Sequence, residues 1–482
     1  MTIRERVKEL LDPDRLLLRT MDTLIEVNGI RHALELGRES WRPGKPLKLL
    51  LAGYTGSRNT GSDIRPEEMI RQFRTIWGDD QLELSILTMD RKLTAGYFRT
   101  ARQIELPLVY PGFLAREVPK HHGVIGVEGS MFKSKFSNAV TTMMASAMGL
   151  AAAERKLSVG YGAEAGSMDE PLRDFVSAQC RNSLVICRNE PSRRVLSELG
   201  VRTLTGTDTA WTFRPAPAAR GAQLLRAAGW DGRQKVLAVG PINPFWWPVK
   251  PDLVKAFEKT IEGRARDDHY RSIYFHEWGA EARRKYQRYI DGFTSFLERW
   301  LARSDVFPIL FGMEQLDRKA CEDIARQLSR PVPLFVSDEH NMYDLVSVLH
   351  HCALLVSSRF HALVTSMLAA VPSAGVTMDE RITNLMSDRG HADLMLGVED
   401  DQLGDRLHET MVRLEARTAE VAKDIERFVP THLKMLGQMG IDLEDEVARV
   451  YPEFPRVARV RSWEQYLPTP APSVQKMLEN HA

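Results

Sequence analysis

The sequence predicts an α/β protein of two doubly wound domains facing a cleft, with helical extensions at either end. Three observations lead there. Short apolar strands alternate with helical stretches in two separate series, the pattern of parallel sheets covered on both faces. A Pro- and Ala-rich break, "RPAPAARGAQLLRAAGWDGR" (214–233), falls between the two series. The chain has 482 residues, more than one ordinary core holds, so two domains plus extensions are expected. A single large sheet domain is the alternative.

Residues 1–46 read as an N-terminal helical extension that ends in the turn "RPGKP". The N-terminal domain, 47–213, opens with the apolar strand "LKLLLAGY" (47–54), then a glycine-punctuated loop and a helix whose first position suits Pro66. "LELSILTM" (82–89), "GVIGVEGS" (123–130), "LSVGYGAE" (157–164), "SLVICRN" (183–189) and "RTLTGTD" (202–208) continue the strands. Helical stretches at 66–76, 134–153 and 190–199 lie between them. After the linker 214–233, the C-terminal domain, 234–398, carries "KVLAVGP", "VFPILFG", "VPLFVS", "ALLVSS" and "PSAGVT". Residues 399–482 form a helical segment and a Pro-containing tail.

Composition narrows the function classes. A hydrophobic content of 43%, a charged content of 27% and a net charge of +1 describe a soluble globular chain with no global case for nucleic acid. Cys180, Cys187, Cys321 and Cys352 occur at no metal or redox spacing, which points to a reducing cytoplasm. The charged opening has no apolar signal core, and "AVTTMMASAMGLAAA" (139–153) reads as a buried helix and not a membrane span. The adjacent histidines of "KHHG" and "LHHC" have no further ligands at metal spacing, so no metal site is expected.

The segment "SSRFHALVTSMLAA" (357–370) carries the chemistry. It follows a buried strand and starts a helix that Pro372 stops. Arg359 and His361 thus fall at the carboxyl edge of a parallel strand, where open sheets place ligands. A helix start adds free N–H groups and a positive dipole end, an anion seat, and Ser358 is the expected N-cap. Residues two apart on a regular helix diverge by roughly 200°. Both side chains reach one ligand only if Arg359 belongs to the turn. The bland reading gives Arg359 an acidic neighbour and His361 a place in the core.

The chain resembles the polysaccharide pyruvyl transferase family in several segments that occur in order. "SSRFHAL" with "AAVPSAGV" (369–376) is similar to its Arg-Leu-His-Ala signature and the strand that follows. "GYTGSRNTGSD" (53–63) resembles its N-terminal glycine loop, and "CRNEPSRRVLSELGV" (187–201), with Asp208 after it, its Arg-Asp-Glu segment. Departures are Ser62 between Gly61 and Asp63, Glu128 inside the glycine triplet, Asn189 for the Asp, and "GPINPFWWP" (240–248) where an arginine is usual. The resemblance implies two Rossmann-like, GT-B-like halves and pyruvyl transfer from phosphoenolpyruvate to a sugar of a glycan or its precursor. Phosphoenolpyruvate would be a co-substrate, with no other cofactor. A GT-B-like glycosyltransferase using a nucleotide sugar is the alternative, and a degenerate non-catalytic relative is a third reading.

On this reading Arg359 grips the donor as a planar bidentate fork. His361 is either the general acid or a charged phosphate ligand. Substrate-binding candidates are Ser358, Gly56, Asn59, Gly61, Asp63, Glu128, Asn243, Trp246 and Trp247, the tryptophans as a stacking platform for a sugar ring. The loop 53–63 is equally well an ordinary strand–helix turn, and His276 with Glu277 is an acid/base pair or a surface feature. The expected setting is exopolysaccharide or cell-envelope synthesis in the cytoplasm, with peripheral contact to a membrane-linked glycan precursor.

Overall fold

The computed structural model describes residues 12–34, 40–252, 255–258, 268–271, 273–456 and 460–480. The expected helix over residues 1–11, the end of the N-terminal extension at 35–39 and residues 457–459 and 481–482 of the tail lie outside the described residues. The first sheet contains β1 (Leu47–Ala52), β2 (Leu82–Thr88), β3 (Arg102–Glu105), β4 (Gly123–Gly126), β5 (Leu157–Ala163), β6 (Leu184–Cys187) and β7 (Arg202–Thr205). Their order is β3-β2-β1-β4-β5-β6-β7 and every pair is parallel. β4, β5 and β6 are buried along their whole length, which is why they read as unbroken apolar runs.

A second series opens with β8 (Lys235–Gly240). Three short antiparallel strands then form a separate small sheet, β9 (Lys250–Pro251), β10 (His269–Arg271) and β11 (Tyr274–Phe275). The series resumes with β12 (Val306–Gly312), β13 (Leu334–Val336), β14 (Cys352–Ser357), β15 (Ser373–Thr377) and β16 (Met395–Gly397). The second sheet is parallel in the order β13-β12-β8-β14-β15-β16. Two parallel sheets of seven and six strands, each flanked by helices, make a GT-B-like α/β architecture.

Several elements differ from the sequence reading. The helix after β1 runs Thr60–Trp77, so Pro66 lies inside it and does not open it. Asn59 is the cap: its side-chain oxygen accepts the Ser62 N–H at 3.2 Å and starts the helix six residues before the proline's ring. The stretch 214–233 holds a helix, Ala218–Ala227, whose Gly221 N–H donates to Ser347 Oγ at 3.1 Å on a helix of the second domain. β3, β16 and the small sheet have no apolar run to announce them. The apolar segment at 139–153 is a buried helix, Asn138–Ala153, covered by Pro13–Ala33. Among the described residues no helix is long and apolar enough to cross a membrane.

The helix Thr418–Val450, 33 residues long, returns from the second domain to pack on the first. Gln72 Nε2 donates to the Leu436 carbonyl at 2.9 Å and to that of Tyr466 at 3.0 Å. Arg202 meets Glu446 at 3.1 Å. Leu436 is 1% exposed in this seam. Leu436→Ala should therefore cost about 2–5 kcal/mol of unfolding free energy in a denaturant titration. A loss under about 0.5 kcal/mol would mean that the returning helix does not stabilise the first domain.

Candidate active site

Strand order reverses between β1 and β4 in one sheet and between β8 and β14 in the other. These are the two topological switch points, where parallel sheets open a crevice at their carboxyl ends. The loops that follow these four strands meet there. A cavity of about 90 Å³ lies between them, with Tyr54, Asn59, Ser62, Glu128, Ser130 and Lys133 on one side. Trp247, Tyr270, Glu314, Arg359 and Arg381 close the other side. The sequence expectation of a cleft shared by 54–63, 128–132, 241–247 and 357–361 thus has a liner from each segment.

The loop after β1 is braced from within. Gly56, at φ 79°, donates its N–H to Asp63 Oδ1 at 3.3 Å. Burial pushes the Asp63 carboxyl up to about 7, against that hydrogen bond and the charge of Arg58. Thr60 N–H donates to the Met313 carbonyl at 2.7 Å and Ser337 Oγ to the Arg58 carbonyl at 2.6 Å, tying the loop to the second domain. Gly61 lies flat against His361. A Cβ added there would run into the imidazole at Nδ1, so a side chain at 61 would displace the His361 ring.

Arg359 and His361 diverge. Arg359 is itself the N-cap of the helix Phe360–Met367, with φ −101° and ψ 118°. This corrects the expectation for Ser358, whose Oγ instead pairs with the Tyr289 hydroxyl at 2.8 Å. It is the Ser357 Oγ that accepts the Arg359 N–H, at 3.0 Å. The Arg359 Nε lies 2.9 Å from Asp317, and Nη2 lies 2.5 Å from Asp317 and 2.7 Å from Glu314. Burial disfavours the charge of Arg359, but these carboxylates more than offset it and keep the guanidinium ionised. Burial in turn raises Glu314 to about 6. The acidic partners are those of the bland reading, and the same arginine also lines the cavity.

His361 points the other way, into the first domain, with Nε2 3.4 Å from Asp208 Oδ2 and outside hydrogen-bond geometry. It does not line the cavity. Burial lowers its pKa, against the pull of Asp208. Asp208 is the hub of a buried cluster. Arg65 Nη1 is 2.5 Å away and Arg188 Nη1 3.1 Å away. Burial alone would raise this carboxyl, but Arg65, His361 and Arg188 hold it well below the usual carboxylate range. Arg188 also pairs with Glu164 and stacks over Phe360, 4.3 Å from the ring centroid. Glu164 reaches Lys133 Nζ at 2.6 Å, and Glu380 reaches it at 2.7 Å from the second domain. Burial, with help from Arg381, pushes Lys133 down to about 8.

The remaining candidates separate. Glu128 lines the cavity; its Oε1 accepts the Gly129 N–H at 2.9 Å and its buried Oε2 has no partner. Trp247 lines the cavity edge-on to Phe136, with centroids 5.4 Å apart. Trp246 is buried, with its ring stacked on His276 at 4.6 Å, so that face is not open to a sugar. The same burial lowers His276 to about 4, as expected of a packed histidine. Asn243 is buried and caps the next turn through Phe245 N–H at 3.1 Å. Sequence reasoning missed Lys133, Glu314, Asp317 and Arg381, whose contexts read as solvated charge. Among the described residues no group of His, Cys, Asp and Glu is placed to hold a metal ion.

Two parallel sheets joined across a charged cleft define a GT-B-like fold. The family model for polysaccharide pyruvyl transferase matches residues 152–380, a span that contains Arg188, Asp208, Glu314, Asp317, Arg359 and His361. With that match, the chain is a polysaccharide-modifying transferase, as its motifs suggest. Lys133 and Arg381 fall just outside the matched span. Among solved structures, Anabaena HepE in complex with UDP-glucose is similar at TM-score 0.53 and 12% identity, covering 83% of this chain and 100% of that one. A UDP-GlcNAc 2-epimerase from Neisseria meningitidis bound to UDP-GlcNAc is similar at TM-score 0.46 and 11% identity, covering 79% and 94%. No curated protein matches the chain.

The raised Asp63 gives a pH signature. Its ordinary value is 3.8 and its folded value about 7, so between them the folded chain holds a proton that the unfolded chain has lost. That contribution to stability is present below the ordinary value and is lost as pH rises through about 7. Asp63→Asn keeps an oxygen for Gly56 and cannot ionise. Its stability relative to the native chain should rise from about pH 4 to about pH 7 and level off above that in denaturant titrations. A difference that stays constant with pH would show that Asp63 titrates normally.

Proposed function

We propose that this chain transfers the pyruvyl group of phosphoenolpyruvate to sugar hydroxyls of a glycan or glycan precursor, releasing phosphate as a ketal forms. The observation that carries the reading is the convergence of Lys133, Arg359 and Arg381 on one cavity at both switch points. Phosphoenolpyruvate presents a phosphate and a carboxylate on a small planar frame, and three fixed cations suit such an anion. Two sugar hydroxyls add at C2. One of their protons ends on the methylene carbon, making a methyl group, and phosphate departs with the other.

In this reading Arg359 holds the donor, with Asp317 fixing its plane, and Lys133 meets the phosphate. The groups on the cavity wall that titrate near neutrality are Lys133 and Glu314, and one of them hands the proton to the methylene. His361 acts through Asp208, which sets Arg188 and the loop that carries Lys133, and is thus a positioning residue. Trp247 offers the sugar an aromatic edge.

The experiment is calorimetric titration with phosphoenolpyruvate, alongside phosphate release in the presence of acceptor glycan. Arg359→Lys keeps the charge and loses the fork, and Lys133→Met loses the charge. Each should weaken donor binding by more than about tenfold, or 1.4 kcal/mol. His361→Asn should keep donor affinity within about threefold while turnover falls. A native chain that ignores phosphoenolpyruvate but gains about 3 kcal/mol of stability from excess UDP-glucose would overturn the reading in favour of a nucleotide-sugar transferase.

A further inference from the structure

Among the described residues three arginines are buried, Arg65, Arg188 and Arg389. The first two are matched by carboxylates, Asp208 for both and Glu164 for Arg188. Arg389 is not. It caps the carboxyl end of the helix Glu380–Asp388, and only its Nη1 is engaged, 3.2 Å from Ser373 Oγ and 3.5 Å from Met386 Sδ. Its Nε and Nη2 are buried without a hydrogen-bond partner among the described residues. Those two atoms form one edge of the guanidinium, the same edge with which Arg359 grips both oxygens of Asp317. His391 follows after the turn at Gly390, φ 73°. It is 3% exposed, and neither Nδ1 nor Nε2 makes a hydrogen bond to a described residue. Asp424 of the returning helix lies 3.4 Å from Nε2, outside hydrogen-bond geometry, and is shared with Arg427 at 3.5 Å. Asp393, the other acid close by, pairs with Arg417 at 2.7 Å.

A helix carboxyl end favours a positive charge but supplies no acceptor to these N–H groups. Burial penalises the charge of Arg389, with Asp424 alone offsetting it, and pushes the group down to about 10, so it is still a cation at neutral pH. A buried guanidinium that stays charged calls for a counterion. We propose that Arg389 and His391 bind a phosphate group, the free edge of the guanidinium taking two oxygens and an imidazole nitrogen meeting a third. A planar carboxylate would be satisfied by the edge alone and leave the imidazole unused. The seat lies at the amino edge of the second sheet, where β15 begins at Ser373, whereas the charged cavity opens at the carboxyl edges. The helix between them has nine residues, a rise of about 13 Å, with Arg381 at the cavity end and Arg389 at the other. The two sites are therefore separate, and this one does not rest on the transferase function proposed above.

The test compares how inorganic phosphate stabilises the native full chain and Arg389→Met in denaturant titrations, with chloride matching the ionic strength. Without phosphate, Arg389→Met should be at least as stable as native protein, since methionine fills the space and brings no unmatched charge. With about 50 mM phosphate, the native unfolding constant should fall at least about tenfold further than that of the variant. Phosphate held in the charged cavity acts on both chains alike and cancels in this comparison. If Arg389→Met does not fold, Arg389→Lys and His391→Leu answer the same question, and each should lose at least about threefold of the native response. An equal phosphate response in native protein and folded variants would overturn the proposal. So would an equal response of native protein to acetate, or a folded Arg389→Met that is markedly less stable than native protein without phosphate. Glycerol phosphate separates the sources. A response matching that of inorganic phosphate means that the seat admits a phosphoryl group carried on a larger molecule, and one confined to inorganic phosphate means the free ion; either supports the site.

Discussion

The buried carboxylate of Asp208 is the constraint on which the site depends. It lies just beyond the edge strand β7, and three basic side chains from three other places in the chain converge on it. Arg65 reaches it from the helix Thr60–Trp77 at 2.5 Å, Arg188 from the end of β6 at 3.1 Å and His361 from the second domain at 3.4 Å. An isolated charge buried so deeply would be expelled, and a paired one is tolerated only with every remaining donor satisfied. Arg65 meets that condition through the carbonyls of Val127, Tyr161 and Gly162 at 3.1, 3.1 and 2.8 Å. Those carbonyls belong to the ends of β4 and β5, so the ion cluster also fixes the loops that carry Glu128 and Lys133.

Such a cluster is a poor source of stability and a good source of definition. Desolvation offsets most of its Coulomb energy, and removing one partner strands the others at a cost of about 3–5 kcal/mol. Few alternative arrangements satisfy the same charges. The active-site loops gain a fixed geometry without an apolar core of their own, which suits walls that must stay polar to meet an anionic substrate. Arg359 is treated similarly, with Asp317 and Glu314 setting the plane of its guanidinium before any ligand arrives.

What the sequence revealed and what it hid follow from range. Buried parallel strands are legible because both faces are apolar, so "LKLLLAGY" and "ALLVSS" show themselves without context. β3, reading "RQIE", is half exposed at a sheet edge and carries no such signal. The helix Thr60–Trp77 begins six residues before Pro66, where "TGSDIR" looks like a loop until Asn59 is known to cap it. At the site, Arg359 and the glycine loop stood out as local patterns at strand ends. Lys133, Glu314, Asp317 and Arg381 did not, since a charge in "FKSKF" or "MEQLD" becomes a buried site residue only through a partner far away in the chain. Arg188 and Asp208 drew notice only through the family-like segment that contains them.

The spacing of Arg359 and His361 acquires its meaning from the two-domain design. As N-cap, Arg359 leaves the helix direction and turns back to Glu314 and Asp317, which follow β12 in its own domain. His361, one step into the helix, projects across the seam to Asp208 in the other domain. Separating the sheets would break the His361–Asp208 and Lys133–Glu380 contacts and leave the Arg359 assembly whole. The arginine fork is therefore assembled wholly within the second domain. The Lys133 side of the cavity, by contrast, draws on both domains through Glu164 and Glu380. One short motif thus divides the labour, its first residue held by carboxylates of its own domain and its third reaching across the seam to Asp208.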